Sequence, residues 1–355
     1  MTSHSDPDDR DHAPSDAGRP LAAGKLPPEL LQRLIEHYRT PPDSSVLVPP
    51  GIGHDAAAIA VGDQTLVVKS DPITFATESA ASYLVAINAN DVACLGAQPR
   101  WLTVVGLLPE GRATESDVEA MFAELQAACL PLGISVIGGH TEVTLGLERP
   151  ILVGTLIGSV ERDRLLQPGG AKVGDAILLT KAVGIEGTAL LAREKGDELL
   201  PVLGPDRLYQ AAKLLHRPGI SVVRDAAAVQ RVPGVHALHD PTEGGVAMGV
   251  RELALAAGVG AELLAEALPL LPETRLICEH FRIDPLGLLA SGSLLVAIDP
   301  HHVDEAVAAA RQEGIPIAQV GRILPPEDGL VLVPTRGARP QPLPRFDADE
   351  VTRVL

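Results

Sequence analysis

"GIGHDAAAIAVGDQTLVVKSDPIT", Gly51 to Thr74, admits two folds. Gly51-x-Gly53-x-x-Ala56, with Asp71 twenty positions after Gly51, imitates a dinucleotide-binding fingerprint. In that fold the glycines turn a strand onto a pyrophosphate and open a helix of useful length. Here only Ala56–Val61 separates the glycines from Gly62-Asp63, a tight-turn pair, and a second β-rich run follows at Gln64–Lys69. Two short apolar runs joined by such a pair read as a hairpin, not as a strand feeding a helix. The Rossmann reading is therefore rejected. The sequence also holds no Gly-x-x-x-x-Gly-Lys-[Ser/Thr] loop, no Gly-x-Ser-x-Gly and no zinc-type Cys/His spacing.

Outward from the hairpin, apolar periodicity predicts a long helix over Glu78–Ala97. It contains "INANDVACLGAQP" (Ile87 to Pro99), in which Asn88, Asn90 and Asp91 interrupt an apolar surface. A buried unpaired carboxylate costs several kcal/mol or neutralises, so something must compensate Asp91. Upstream, Met1–Gly24 reads as a disordered tail, and a helix is predicted within Lys25–Thr40. A strand is expected at Ser45–Val48, another at Arg100–Leu108, and an amphipathic helix at Ala113–Leu130 capped by Thr114 or Ser116. Strands at Ile134–Ile137 and Arg149–Val160 should flank a loop. Pro168-Gly169-Gly170 marks a break, after which a second alternating region begins at Ala176–Thr180. The fold class is thus α+β (α/β) with two domains, residues 25–165 and 170–335, and tails at 1–24 and 336–355.

Composition narrows the function. The chain has 355 residues, 46% hydrophobic but only 2% aromatic, so its core must be aliphatic. Its formal charge of −17 disfavours nucleic-acid and anionic-membrane partners, though not an anionic ligand held through metal ions. No apolar run of about 20 residues predicts a membrane span, and the polar first twenty residues do not resemble a signal peptide. A cytoplasmic protein is expected. Cys94, Cys129 and Cys278 lie far apart, without a Cys-x-x-Cys, and read as small buried hydrophobes.

Polar residues gather at segment junctions. These are His54 and Asp55 in "GIGHDAAAI", Ser70 and Asp71 in "VVKSDPIT", and Asp91 on the long helix. "VIGGHTEVT" follows with Gly138, Gly139, His140 and Glu142, then "HDPTEGG" with Asp240, Thr242 and Glu243. Magnesium takes hard oxygen ligands, often one or two carboxylates plus waters and phosphate. Carboxylates at strand ends, with glycines that admit phosphate and a helix start after Asp240, form a candidate set for a polyphosphate and its metal ions. Asp91 is then a metal ligand or the partner of one.

These motifs, with "NDVACLGAQP" and "DPLGLLASGSLLVAI" (Asp284 to Ile298), stand in the order found in the aminoimidazole ribonucleotide synthetase (PurM-like) superfamily. The sequence most resembles its hydrogenase-maturation members of the HypE type. The resemblance implies an N-terminal domain whose strands form a barrel across a homodimer, and a C-terminal α/β domain, with ATP and Mg²⁺ between them. By motif position it implies metal ligands Asp55, Asp71, Asp91, Asp240 and Glu142. Asp55, Asp91 and Asp240 are then catalytic, and Ser70, Gly138, Gly139, His140, Thr242 and Glu243 contact the nucleotide. It implies ATP-driven activation of an oxygen of a carbamoyl, amide or small-molecule acceptor, with metalloenzyme-maturation proteins as partners. His140 stands where HypE-type and kinase motifs have Asp, and the sequence ends "FDADEVTRVL" rather than in the Pro-Arg-x-Cys tail that carries the carbamoyl group in HypE. Cyanide-ligand synthesis on its own tail is therefore not expected. A small-molecule kinase resembling thiamine-monophosphate kinase and a non-catalytic nucleotide-binding partner are the alternatives.

Overall fold

The protein is described by a computed structural model that covers Leu21 and residues 26–51, 53–74 and 79–355. The expected tail at Met1–Gly24 lies outside the described residues except for Leu21. The chain forms two compact units, one ending at Pro41 and one beginning at Pro42. The first contains helix α1 (Pro28–His37), opened by prolines at its first turn, where a missing N–H costs nothing.

In the second unit the expected hairpin forms. β1 (Val46–Val48) pairs with β2 (Ala57–Val61), which turns through Gly62-Asp63 into β3 (Gln64–Ile73). Helix α2 (Ala80–Cys94) follows, then β4 (Gln98–Pro109), α3 (Glu115–Cys129), β5 (Ser135–Thr144) and β6 (Ile151–Glu161). The six strands make one open sheet in the order β1-β2-β3-β6-β4-β5. Thr114 caps α3 in a reciprocal bond with Asp117. Glu78, the predicted first residue of the long helix, lies outside the described residues.

α2 is buried around most of its circumference because it is sandwiched between this sheet and the C-terminal half. On the sheet side it lies so close to β6 that a Cβ on Gly158 would overlap Val92. On the other side Ala93 and Cys94 share a core cluster with Leu178, Val222 and Val296. Asn90 pins the helix there: its amide donates to the Ile220 carbonyl at 2.9 Å and accepts from the Val222 N–H at 2.8 Å.

The C-terminal half runs β7 (Ala176–Thr180), α4 (Ile185–Glu194), α5 (Gly196–Ala212), α6 (Val223–Val229), β8 (Val235–His239) and α7 (Gly245–Ala257). It continues through β9 (Gly260–Leu264), α8 (Pro272–Phe281), β10 (Leu295–Ile298), α9 (Val303–Gln312), β11 (Ile317–Leu324), β12 (Leu330–Val333) and β13 (Gln341–Pro342). Its strands form a separate sheet, β13-β12-β9-β11-β7-β10-β8, mostly antiparallel, with β12 and β9 parallel. α5 escapes sequence reading because Pro201 and Pro205 interrupt it and Gly204, at φ 73°, kinks it.

One expectation is corrected here. The Gly138-Gly139 pair was expected to begin a loop after Ile137, but β5 runs straight through it to Thr144. Parallel pairing with β4 supplies the ladder bonds. Gly139 tolerates the path because it holds φ 147° and a Cβ there would overlap the Val104 carbonyl. Among the described residues no helix is long and apolar enough to cross a membrane.

Candidate functional site

The strand period decides which residues of β3 can act together. Lys69 and Asp71 are two apart and share the face beneath α2, while Ser70 points the other way. Ser70 bonds the Thr155 hydroxyl at 3.0 Å on that far face, so it does not join the carboxylates. Lys69 Nζ reaches Asp91 at 2.7 Å and Asp71 at 3.3 Å. The cation that sequence reasoning sought for Asp91 is therefore partly supplied by the chain itself, from a lysine inside a quoted motif.

The C-terminal half brings a second group to the same place. β8 ends at His239, and Asp240 follows. The Cys94 thiol donates to Asp240 Oδ1 at 3.4 Å, joining α2 to this strand end. His239 Nε2 meets Glu252 of α7 at 3.0 Å, and its Nδ1 lies 3.5 Å from Asp55 in the loop before β2. Asp55, Cys94, His239 and Glu252 line one small cleft with Gly53 and Ala256.

The electrostatics follow from five carboxylates facing two cations. Burial opposes the Lys69 ammonium, but Asp91, Asp71 and Asp55 outweigh it and hold the lysine above its ordinary range. Burial likewise opposes charge on His239, and the bonds to Asp55 and Glu252 reverse that, raising its pKa well above the ordinary value. Asp91 moves well upward because it is buried and lies beside Asp240, with Lys69 only partly offsetting both. Asp240 rises to about 6, driven first by burial, with Asp55 adding and His239 opposing. Burial and the neighbouring Asp240 and Asp91 push the Cys94 thiol up as well, which keeps it protonated. No backbone, lysine or arginine donor reaches the buried Asp240 Oδ2, and the acid hydrogen-bonded to Asp240 is Asp91 itself. A carboxylate oxygen that no cation reaches, in a cluster short of positive charge, suits a hard cation. Among the described residues no three His, Cys, Asp or Glu side chains are arranged as a ligand set.

Of the remaining predicted residues, those of β5 lie apart from this group. Across the sheet Asp71 faces Gly154, which faces Val104, which faces Gly139. Three strand spacings put Gly139 about 14 Å from Asp71 within one chain. His140 and Glu142 pair with each other at 3.0 Å on the bare edge of β5. Thr242 and Glu243 form the turn between Asp240 and α7, Glu243 exposed, and the Thr242 carbonyl accepts from Ala290 at 3.2 Å. His54 turns back to the Pro49 carbonyl at 2.9 Å. Lys69, Cys94, His239 and Glu252 were missed by sequence reasoning. Lys69 left a signal in its place two residues before Asp71 on a strand, and His239 in its place directly before Asp240.

Comparison with known proteins matches the same two halves. The AIR synthase related protein N-terminal domain matches residues 53–160 and the C-terminal domain matches residues 172–333. Carbamoyl dehydratase HypE of Cupriavidus necator is 31% identical over 294 residues, covering 80% of each chain. The crystal structure of hydrogenase maturation protein HypE in complex with ATP superposes with a TM-score of 0.64 at 24% identity, covering 91% of this chain and 96% of that one. Thiamine-monophosphate kinase from Stenotrophomonas maltophilia gives 0.65 at 25% identity, covering 88% and 96%. With both domain models matched in order and a relative above 30% identity across most of its length, the chain belongs to the AIR synthase related protein family.

Proposed function

We propose that this protein is a HypE-like, Mg²⁺- and ATP-dependent enzyme that activates an oxygen of a carbamoyl, amide or other small-molecule acceptor by phosphoryl transfer. The observation that carries the reading is the meeting of two buried acids, Asp91 and Asp240, where carboxylates from both halves of the chain converge without a cation for each. Phosphoryl transfer is mostly positioning and charge neutralisation, and a chain of −17 needs cations to accept a triphosphate. Asp55, Asp71, Asp91 and Asp240 are the residues to hold magnesium. The bound metal supplies the charge that lets phosphate oxygens approach these acids. Lys69 keeps Asp91 and Asp71 oriented, and His239 holds Asp55 against the C-terminal half through Glu252. Thr242 and Glu243, in the turn before α7, and Gly138, Gly139 and His140 are the nucleotide contacts of this reading, with Glu142 beside them as a further metal ligand. The relatives' link to hydrogenase maturation makes maturation proteins the expected partners.

The Gly138–Glu142 contacts require a second copy of the chain. β5 is a bare edge, with Ile137 56% and Val143 58% exposed, and the sheet face opposite α2 is only half-buried. An uncovered apolar edge of this kind is a pairing surface. A homodimer joined there closes the two open sheets on each other, and Ile137→Lys is expected to leave a monomer in sedimentation velocity runs.

Isothermal titration with ATP, with and without Mg²⁺, tests the binding half of the reading. ADP release with carbamoyl and amide acceptors tests the chemistry. Binding that ignores Mg²⁺ would remove the metal role. Turnover with thiamine monophosphate would favour the kinase reading, which the likeness to the Stenotrophomonas enzyme supports.

A further inference from the structure

Beyond β13 the chain does not trail away. Leu343 is buried in the C-terminal core, its N–H bonded to the Leu330 carbonyl and its own carbonyl to Arg251 of α7 at 3.0 Å. Phe346 packs so tightly on Gly287 that a Cβ there would overlap its ring. Val351 is buried among Leu191, Ile277 and Leu288. Glu350 accepts from the Asp284 N–H at 2.9 Å and pairs with Arg353 at 2.7 Å.

The central bond of this strap is a single carboxylate. Asp349 Oδ2 accepts from the Gly244 N–H at 2.8 Å, in the turn that follows Asp240. Its Oδ1 accepts from the Leu289 N–H at 3.2 Å and from the Val351 N–H at 2.9 Å. Gly244 holds φ 73°, a left-handed conformation that glycine adopts without steric cost. The 284–293 loop is in turn tied to the same turn, because Ala290 donates to the Thr242 carbonyl at 3.2 Å. One side chain near the end of the sequence therefore joins three backbone segments: the Thr242–Gly245 turn, the loop after Asp284, and the strap.

We propose that Asp349 is a positioning residue of the site: its carboxylate fixes the turn after Asp240 against the 284–293 loop and thereby sets the affinity of the site for nucleotide. The functional half rests on the reading above; the geometric half does not. Asp349→Asn is the sharpest probe. The amide keeps one oxygen for Leu289 and Val351 but turns an NH₂ toward the Gly244 N–H, donor against donor. Val351→Ala is a milder second variant that loosens the strap and leaves the carboxylate in place.

Amide hydrogen exchange and Mg²⁺-ATP titration on wild type and both variants decide the matter. Exchange is expected to accelerate at least about tenfold in residues 242–250 and 284–293 of Asp349→Asn, with the β7–β10 core unchanged. Mg²⁺-ATP is expected to bind at least about tenfold more weakly, and about threefold more weakly in Val351→Ala. Unchanged exchange at the turn overturns the positioning role. Faster exchange at the turn with wild-type affinity overturns its hold on the site. Exchange that rises evenly over the whole chain marks a general loss of stability and also overturns it; should Asp349→Asn not fold, Val351→Ala is read by the same criteria. If wild type itself binds no Mg²⁺-ATP, the functional reading fails, and the exchange of the turn still decides whether Asp349 fixes it.

Discussion

Among the described residues two buried lysine–aspartate pairs behave in opposite ways. Lys69 meets Asp91 at 2.7 Å and Lys181 meets Asp225 at 3.1 Å. Around Asp225 nothing is left over. Thr180 donates to its other oxygen at 2.7 Å, and Lys181 also donates to the Ser221 carbonyl at 2.7 Å. With one carboxylate to answer burial, Lys181 falls below its ordinary pKa. Around Lys69 there are three carboxylates, and its pKa rises despite burial. The Lys181–Asp225 pair is closed and neutral; the Lys69–Asp91 pair belongs to a cluster with negative charge to spare. A buried ion pair by itself says little about role. The charges left without partners say more.

The largest expected effect comes from breaking the closed pair. Asp225→Ala leaves a buried ammonium and a buried hydroxyl without their partner and should cost about 3–5 kcal/mol of unfolding free energy in urea. A loss under about 1 kcal/mol would erase the contrast.

A smaller effect is expected at Glu186, where nothing offsets burial except a bond from Ser291. Its pKa is raised from 4.5 to about 7, so protonation favours the folded state. That contribution is complete below the unfolded value and is lost as pH rises through 4.5 to about 7. Glu186→Gln should therefore be more stable than wild type at pH 8, by at most about 3 kcal/mol, with the advantage shrinking toward pH 5. Melting curves at the two pH values test the sign, and a pH-independent difference would discount burial as the cause.

Opening the second cluster should cost binding rather than stability. Asp91→Asn removes a carboxylate that Asp240 and Asp55 repel, and it leaves Lys69 with Asp71. The melting temperature should shift by only a few degrees, about 1 kcal/mol, while Mg²⁺-ATP binds at least about tenfold more weakly, ~1.4 kcal/mol. Normal binding with a much lower melting temperature would make Lys69–Asp91 a second closed pair.

Much of this was legible beforehand, for identifiable reasons. The hairpin at Ala57–Val61 and Gln64–Ile73 follows from a run too short for a helix. The burial of Asn90 and Asp91 follows from their place in an apolar helix, and Asn90 turned out to bond the backbone of a neighbouring segment, as an amide in such a helix can. Other features were hidden. The parity of β3 separates Ser70 from Asp71, a rule the sequence states but motif reading overlooked. β5 carries its glycines within a strand because β4 supplies the ladder, which the sequence of β5 does not record. The strap reads as a tail in the sequence because its anchors, Leu343, Phe346, Asp349 and Val351, fit neither a helical nor a strand period.

By itself the sequence determined the order of most elements, the aliphatic core and the identities of the acids, because these depend on local periodicity and composition. Only the tertiary structure decided which acids meet, which lysine answers them and where the C-terminal segment binds. Those outcomes depend on contacts between residues as far apart as Cys94 and Asp240, 146 positions along the chain, and no local pattern encodes which distant partner the packing will supply.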